Sequence, residues 1–291
     1  MILVFGATGR VGGEVARSLA ATGEAVRCLV RDASRASALV DAGIDVVGGD
    51  LDDTRAIAAA LAGVKRVFLM SPVGETMTPR QCAVIDAAVA AGVDRIVKLS
   101  GSSWTIEAAR ETATGAAHAV IEERLIESGI AHVNLRPNAF MQGMLARLPG
   151  EIAQGDSFGL ALGEAAVSFI DVRDIADVAV TALCAPSPGS AARHLTGPRA
   201  WSGAEIAALA SELCGRTINY RAIAPAAALA LARTRGESAF MQKHLEQVME
   251  RIGAGVAAEV TGEVEAACGR PARALEDWLR ESRSPAMASG A

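Results

Sequence analysis

The chain has 291 residues, of which 51% are hydrophobic and 21% charged, and a formal net charge of −5. That length and apolar content support a sizeable core in one large domain or two small ones, and exclude a disordered chain. The acidic balance argues against a direct nucleic-acid partner bound by phosphate neutralisation, and charge or proline interrupts every apolar run before the ~20 residues of a spanning helix.

The chain opens directly on a strand with no charged leader, so a cytoplasmic protein without a membrane partner is expected. Five cysteines (Cys28, Cys82, Cys184, Cys214, Cys268) include no C-x-x-C pair. They are expected to be buried free thiols in a reducing compartment, with no metal site.

Met1 to Phe5 is a short apolar run, followed by Gly6, Gly9 and Gly12 and then an alanine-rich amphipathic segment over Glu14 to Thr22. A buried strand, a glycine turn and a helix start together make a phosphate site, because the backbone approaches the ligand and the helix's unpaired N–H groups favour negative charge. The spacing is G-x-x-G-x-x-G rather than G-x-G-x-x-G. Ala25 to Val30 reads as a second strand, followed by a helix over Ser34 to Ala42. Ile44 to Val47 is a third strand running into Gly48-Gly49-Asp50, with Asp53 or Thr54 capping the next helix up to Gly63.

Arg66 to Met70 is a fourth strand, Pro79 to Ala91 a helix closing at Gly92, and Ile96 to Leu99 a fifth strand before a loop over Ser100 to Ser103. A helix over Thr114 to Glu127 then leads to a sixth strand, Ala131 to Leu135. This alternation predicts an α/β, Rossmann-type doubly wound parallel sheet in the order 3-2-1-4-5-6.

After Pro137 the rhythm changes. Asn138 to Arg147 is apolar, and residues 156–166 read as a loop or hairpin. Residues 168–183 read as a strand end and helix with Asp171 or Asp174 near its start, and 193–197 as a short strand. Ser202 opens a helix to Leu213, and 224–233 and 237–252 are further helices. The expected organisation is a dinucleotide-binding domain over 1–137 on which 168–197 returns to pack. A smaller, mainly helical substrate-side domain takes 138–167 and 198–285, and 286–291 is a frayed tail.

Ligand groups on such a sheet gather at the C-terminal ends of its strands. Arg31 ends the second strand, where an arginine suits the 2′-phosphate of NADP and an acid would suit NAD. Asp32 beside it and a solvated loop arginine are the competing considerations. Arg10, inside the turn, either reaches a phosphate or points to water. Asp50 either touches an adenine edge or caps a helix. Ser71-Pro72 and Ser100 stand at the ends of the fourth and fifth strands.

The Tyr-x-x-x-Lys pair used by many reductases on this scaffold is impossible here. The sole tyrosine is Tyr220, expected to pack by its ring, and the only lysines are Lys65, Lys98 and Lys243. His118 and Glu122 form an i, i+4 pair; such a histidine either donates a proton to a substrate or is held by its helix neighbour. His132, His194 and His244 are read as structural. Lys98 either approaches the site or is turned away by strand alternation.

The segments GATGRVG, VRCLVRD, AGIDVVGGDLDD, RIVKLSGSS, HAVIEERLIESGIAHVNLRPNAFMQ, FIDVRDIADVA and GRPARALEDWLRE resemble the NmrA-like group of atypical short-chain dehydrogenases over nearly the whole chain. The resemblance implies pyrophosphate contacts from Gly6, Thr8, Gly9, Arg10 and Val11, with Gly12 completing the turn, and a 2′-phosphate contact from Arg31. It places Asp50 and Leu51 at adenine, Ser71 and Pro72 on the nicotinamide side, and Asn138 and Phe140 along the substrate cleft. His118 and Glu122 match a histidine and a glutamate of quinone-reductase-like members; the lysine general acid of other members stands in a different context from Lys98. Two functions follow: an NADPH-dependent reductase of a small apolar quinone, enone or related carbonyl compound, or a non-catalytic dinucleotide sensor acting through a protein partner. A homodimer is compatible with either.

Overall fold

A computed structural model describes residues 1–108, 111–186 and 189–282; the tail assigned to 286–291 lies outside them. In chain order the first elements are β1 (Ile2–Phe5), α1 (Arg10–Ala21), β2 (Val26–Val30), a 3-10 turn (Ala33–Ala36), α2 (Ser37–Asp41), β3 (Asp45–Gly48), α3 (Thr54–Ala60), β4 (Arg66–Leu69), α4 (Met77–Ala90), β5 (Arg95–Leu99), α5 (Ser103–Glu107), α6 (Ala113–Ser128) and β6 (Ala131–Pro137). There follow α7 (Met141–Met144), α8 (Leu148–Gln154), β7 (Ser157–Leu160), β8 (Ala166–Val167), α9 (Val172–Cys184) and β9 (Ala191–Leu195). The last are β10 (Trp201–Ser202), α10 (Gly203–Cys214), β11 (Asn219–Ala222), α11 (Pro225–Thr234), α12 (Ala239–Gly253), α13 (Glu263–Cys268) and α14 (Leu275–Ser282).

The main sheet has seven strands in the order β3-β2-β1-β4-β5-β6-β9. Its first six are paired in parallel, as the alternation predicts, in registers such as Val4 against Cys28 and Leu69 against Lys98. This is a Rossmann-type sheet extended by one strand. Strand alternation divides its apolar residues between two faces. Leu3 and Phe5 of β1 join Val67 and Leu69 of β4 and Ile96 of β5 beneath Ile57 of α3, Val84 and Ile85 of α4, and Ile121 and Leu125 of α6. On the opposite face α9 packs beside α1. Each buried leucine or isoleucine side chain contributes roughly 1.5–3 kcal/mol relative to exposure.

The chain divides into two compact units, one of residues 1–110, 114–137 and 172–194, the other of residues 111–113, 138–171 and 195–291. The first holds the main sheet. In the second, residues 156–166 are not a hairpin. They hold β7, which pairs in parallel with β11 some sixty residues on, and lead to β8, which pairs antiparallel with β10. No local signal marks these pairings, whose partners lie far along the chain, so the stretch reads from sequence only as a loop or hairpin. Tyr220 of β11 packs its ring on Phe158, 5.8 Å between centroids, and donates its hydroxyl to the Leu160 and Gly163 carbonyls.

Ser103 opens α5 rather than closing a loop. Asp174 lies in the first turn of α9. The five cysteines are free, but only Cys28 is buried; Cys184 is exposed at the end of α9. Among the described residues no helix is long and apolar enough to cross a membrane.

Candidate active site

The residues from Gly6 to Gly12 fold as their spacing requires. Gly6 has φ +71°, a conformation that disfavours any side chain, and an added Cβ there would meet Met70 Cγ at 2.8 Å. Gly9 N–H donates to the Gly6 carbonyl at 2.9 Å and closes the turn. At Gly12, already inside α1, a Cβ would stand 2.4 Å from the Gly6 carbonyl oxygen, so this glycine seats the helix on the turn. Helix α1 begins with no side-chain cap and no acidic residue in its first turn. Its leading N–H groups and the positive end of its dipole therefore remain directed at the turn.

A cleft opens there, lined by Phe5, Gly6, Thr8 and Gly9 at the turn, Arg31 and Arg35 after β2, and Asp50 and Leu51 after β3. Met70, Ser71 and Pro72 after β4 and Arg80 of α4 also line it, with Leu29 and Val30 of β2 and Gly49 after β3. The sheet order thus brings together eight residues singled out from the sequence: Gly6, Thr8, Gly9, Arg31, Asp50, Leu51, Ser71 and Pro72. Arg10 is exposed at the start of α1, while Val11 and Gly12 are buried beneath the turn, outside the lining.

The polar groups of the cleft are individually placed. Asp32 is exposed, and one oxygen of its carboxylate accepts from Ser34 N–H and Ser34 Oγ and caps the 3-10 turn. Those bonds, the hydroxyl's first, hold its pKa below the usual carboxylate value. Asp50 does not cap α3 either, since Asp53 does that through the Arg55 and Ala56 N–H groups. Asp50 instead accepts from Asp52 N–H at 3.0 Å and lies 3.8 Å from Arg31 and 4.0 Å from Arg80. Arg80 grips Asp52 through Nε at 2.7 Å and Nη2 at 2.5 Å. Gln81 donates to Ser71 Oγ at 3.0 Å, which leaves the Ser71 hydroxyl proton to be given elsewhere.

Ser100 stands apart from the lining, in a buried polar cluster at the end of the neighbouring strand. Lys98, 0% exposed, places Nζ 2.9 Å from Ser100 Oγ and 2.8 Å from His118 Nδ1. Ser100 donates to Glu122 Oε1 at 2.6 Å, and Arg136 clamps Glu122 through Nη2 at 2.5 Å and Nε at 3.2 Å. His118 and Glu122 are thus joined through Lys98 and Ser100. Strand alternation turns Lys98 toward α6, and the absence of a side chain at Gly101 allows the approach of His118, whose Cδ2 would lie 2.7 Å from a Cβ there. Burial pushes the Lys98 ammonium down to about 7, against the opposing pull of Glu122.

The two substrate-side residues both belong to the second unit. Asn138 is buried, with its side-chain amide donated to Ser168 Oγ at 2.7 Å and to the Ala257 carbonyl at 2.8 Å. Phe140 precedes α7 and bridges to Ile170. The parts that sequence reasoning missed are Arg35, Met70, Arg80, Gln81 and the engagement of Lys98. For Arg80 and Gln81 a signal existed in their place near the start of the helix after β4, the end facing the ligand side of such a sheet.

The NmrA-like family model matches residues 1–280. The chain is 36% identical over 286 residues to an NAD(P)H azoreductase of Xenophilus azovorans, covering 96% of this chain and 97% of that one. It is 35% identical over 281 residues to a (4-alkanoyl-5-oxo-2,5-dihydrofuran-3-yl)methyl phosphate reductase of Streptomyces griseus, covering 97% of each. The NADPH complex of the quinone oxidoreductase QOR2 of Escherichia coli superposes with a TM-score of 0.86 at 26% identity, covering 98% of this chain and 100% of that one. On its sequence blocks, its sheet and these matches, the chain belongs to the NmrA-like family.

Proposed function

We propose that this chain reduces a small apolar quinone, enone or related conjugated compound with hydride from NADPH. The coarser statement is that it is an NAD(P)H-dependent oxidoreductase, as its relatives matched over nearly their full length are. The observation that carries the finer reading is the lining of the cleft, which joins an uncapped helix start behind a glycine turn to two arginines after β2. A dinucleotide fits those features: the turn and the leading N–H groups of α1 take the pyrophosphate, and Arg31 with Arg35 takes a 2′-phosphate. Asp50 and Leu51 border adenine, and Ser71 and Pro72 the nicotinamide ribose. Gly12 and Val11 serve by seating α1.

When bound, the nicotinamide supplies the hydride. The chain's own residues hold the cofactor and supply the proton. His118 gives a proton to the reduced acceptor, and Glu122, held by Arg136, orients Ser100 rather than acting as an acid itself. Acceptors of the proposed class yield a delocalised anion, so the demand on the acid is modest and no Tyr-x-x-x-Lys pair is required. Asn138 and Phe140 are assigned to shaping the substrate side.

The test is NADPH oxidation against a panel of quinones, enones and azo compounds. Turnover with at least one class is expected. Tight NADPH binding without turnover across the panel would overturn the enzyme reading in favour of the sensor.

A further inference from the structure

Lys98 is a fully enclosed charged side chain near the strand ends, and a buried ammonium persists only where its N–H groups are met. Three acceptors stand around Nζ: His118 Nδ1 at 2.8 Å, Ser100 Oγ at 2.9 Å and the Leu99 carbonyl at 3.4 Å. An ammonium has three N–H groups to give them. Ser100 can accept because its own hydrogen is committed to Glu122 Oε1. An Nδ1 that accepts from Lys98 places the ring proton of His118 on Nε2.

We propose that Lys98 is a positioning residue for His118: it holds the ring as the neutral Nε2–H tautomer and stores the proton that replenishes it. This rests on the reading of His118 as proton donor. A second positive charge on the ring, 2.8 Å from Nζ, is disfavoured while Lys98 is charged. The groups facing Lys98 are His118 and Glu122 from α6, Arg136 from β6 and Cys82 from α4. Glu122 supports the ammonium and Arg136 opposes it, and burial brings its titration to about 7, where the proton exchanges readily. When Nε2 yields its proton to the anion formed by hydride addition, Nδ1 takes one from Nζ. The ring stays neutral and the lysine is left as the amine; a proton from solvent then reaches Nε2 while Nδ1 hands its own back to Nζ, which restores the ammonium and the Nε2–H tautomer together. One hydride and one proton are consumed per acceptor.

The ring can be read directly in the ¹⁵N-labelled, cofactor-free protein by long-range ¹H–¹⁵N correlation, with His118→Gln supplying the assignment. The expected wild-type result is a bare Nδ1 and a protonated Nε2 near neutral pH. An Nδ1-protonated or cationic ring there overturns the proposal without any variant being needed. In Lys98→Met the ring should lose that fixed form and titrate near the ordinary histidine value of about 6.5; an unchanged ring also overturns it. With an active acceptor, Lys98→Met should lower kcat about tenfold or more and displace its pH profile, with KM and NADPH affinity retained. If the wild-type ring has the expected tautomer but His118→Gln turns over at the wild-type rate, the hold of Lys98 on the ring stands and the donor reading fails.

Discussion

Two polar regions stand at the C-terminal ends of adjacent strands, the cleft around the glycine turn and the cluster around Lys98, and they are built in opposite ways. The cleft is open, its arginines are exposed or half-exposed, and its central feature is backbone: a positive φ at Gly6 and the unpaired N–H groups at the start of α1. The cluster is closed, made of side chains from β5 and the residue after it, α6 and β6, and these polar groups bond to one another inside the protein. An open site with spare donors is suited to take up an anion; a closed one is suited to keep a proton in place. The contrast predicts that mutations in the first change what is bound, and mutations in the second change how it reacts.

The largest effect is expected at Gly12. Gly12→Val puts a Cβ 2.4 Å from the Gly6 carbonyl oxygen, so the turn or the start of α1 must move. NADPH affinity should fall by more than about a hundredfold, and stability by about 1–3 kcal/mol, the usual cost of overpacking. Cofactor fluorescence and urea melts read the two. Retained NADPH binding would show that the cleft is not the dinucleotide site. The tautomer of His118 should be the same in this variant as in the wild type.

Next comes the pair Arg31 and Arg35. Each hydrogen bond to a charged group is worth about 1.5–3 kcal/mol, or roughly 10- to 100-fold in affinity. Arg31→Ala should therefore weaken NADPH in that range while leaving NADH almost unchanged, and Arg35→Ala should act in the same direction. Equal losses for the two cofactors would remove the 2′-phosphate assignment.

The contrast also explains what was legible in the sequence. The order of the first six strands, the glycine turn and Arg31 could be read because each depends on residues close together in the chain. Asp32 was ambiguous in the sequence because its bonds to Ser34, through one carboxylate oxygen, show only in the folded turn. Lys98 was ambiguous because its meaning lies in partners brought to it by the fold, His118 20 residues along the chain and, through Ser100, Glu122. β7 and β8 were hidden for the same reason, since β11 and β10 supply their hydrogen bonds from afar.

A smaller effect tests the cluster through stability. The folded-state value of Lys98 is about 7, while in the unfolded chain it is about 10.4. Between the two the unfolded chain binds the extra proton, so stability must rise with pH, by up to about 1.4 kcal/mol per unit. Below 7 both states are protonated and this contribution is flat. Cys28 works the other way at higher pH, because burial pushes its thiol up to about 12 and the unfolded chain loses that proton first. The clear window is therefore about pH 7–8, below the ordinary thiol value of about 8.5. Urea melts of wild type and Lys98→Met across it should differ in slope, with the rise lost in the variant; parallel slopes would mean that the lysine is not proton-poor when folded.

The smallest effect lies away from both regions, in the second unit. Ser202 caps α10 through Glu205 N–H at 3.3 Å, and Glu205 returns the favour by accepting from Ser202 N–H at 2.8 Å. Ser202→Ala removes the hydroxyl arm of this box and should cost about 1 kcal/mol of stability. NADPH affinity should be unchanged, because every residue lining the cleft belongs to the first unit. Glu205→Gln preserves the acceptor and should cost less than Ser202→Ala. If Ser202→Ala weakened NADPH binding as much as Arg31→Ala, affinity would not be a property of the cleft alone, and its separation from the rest of the chain would fail.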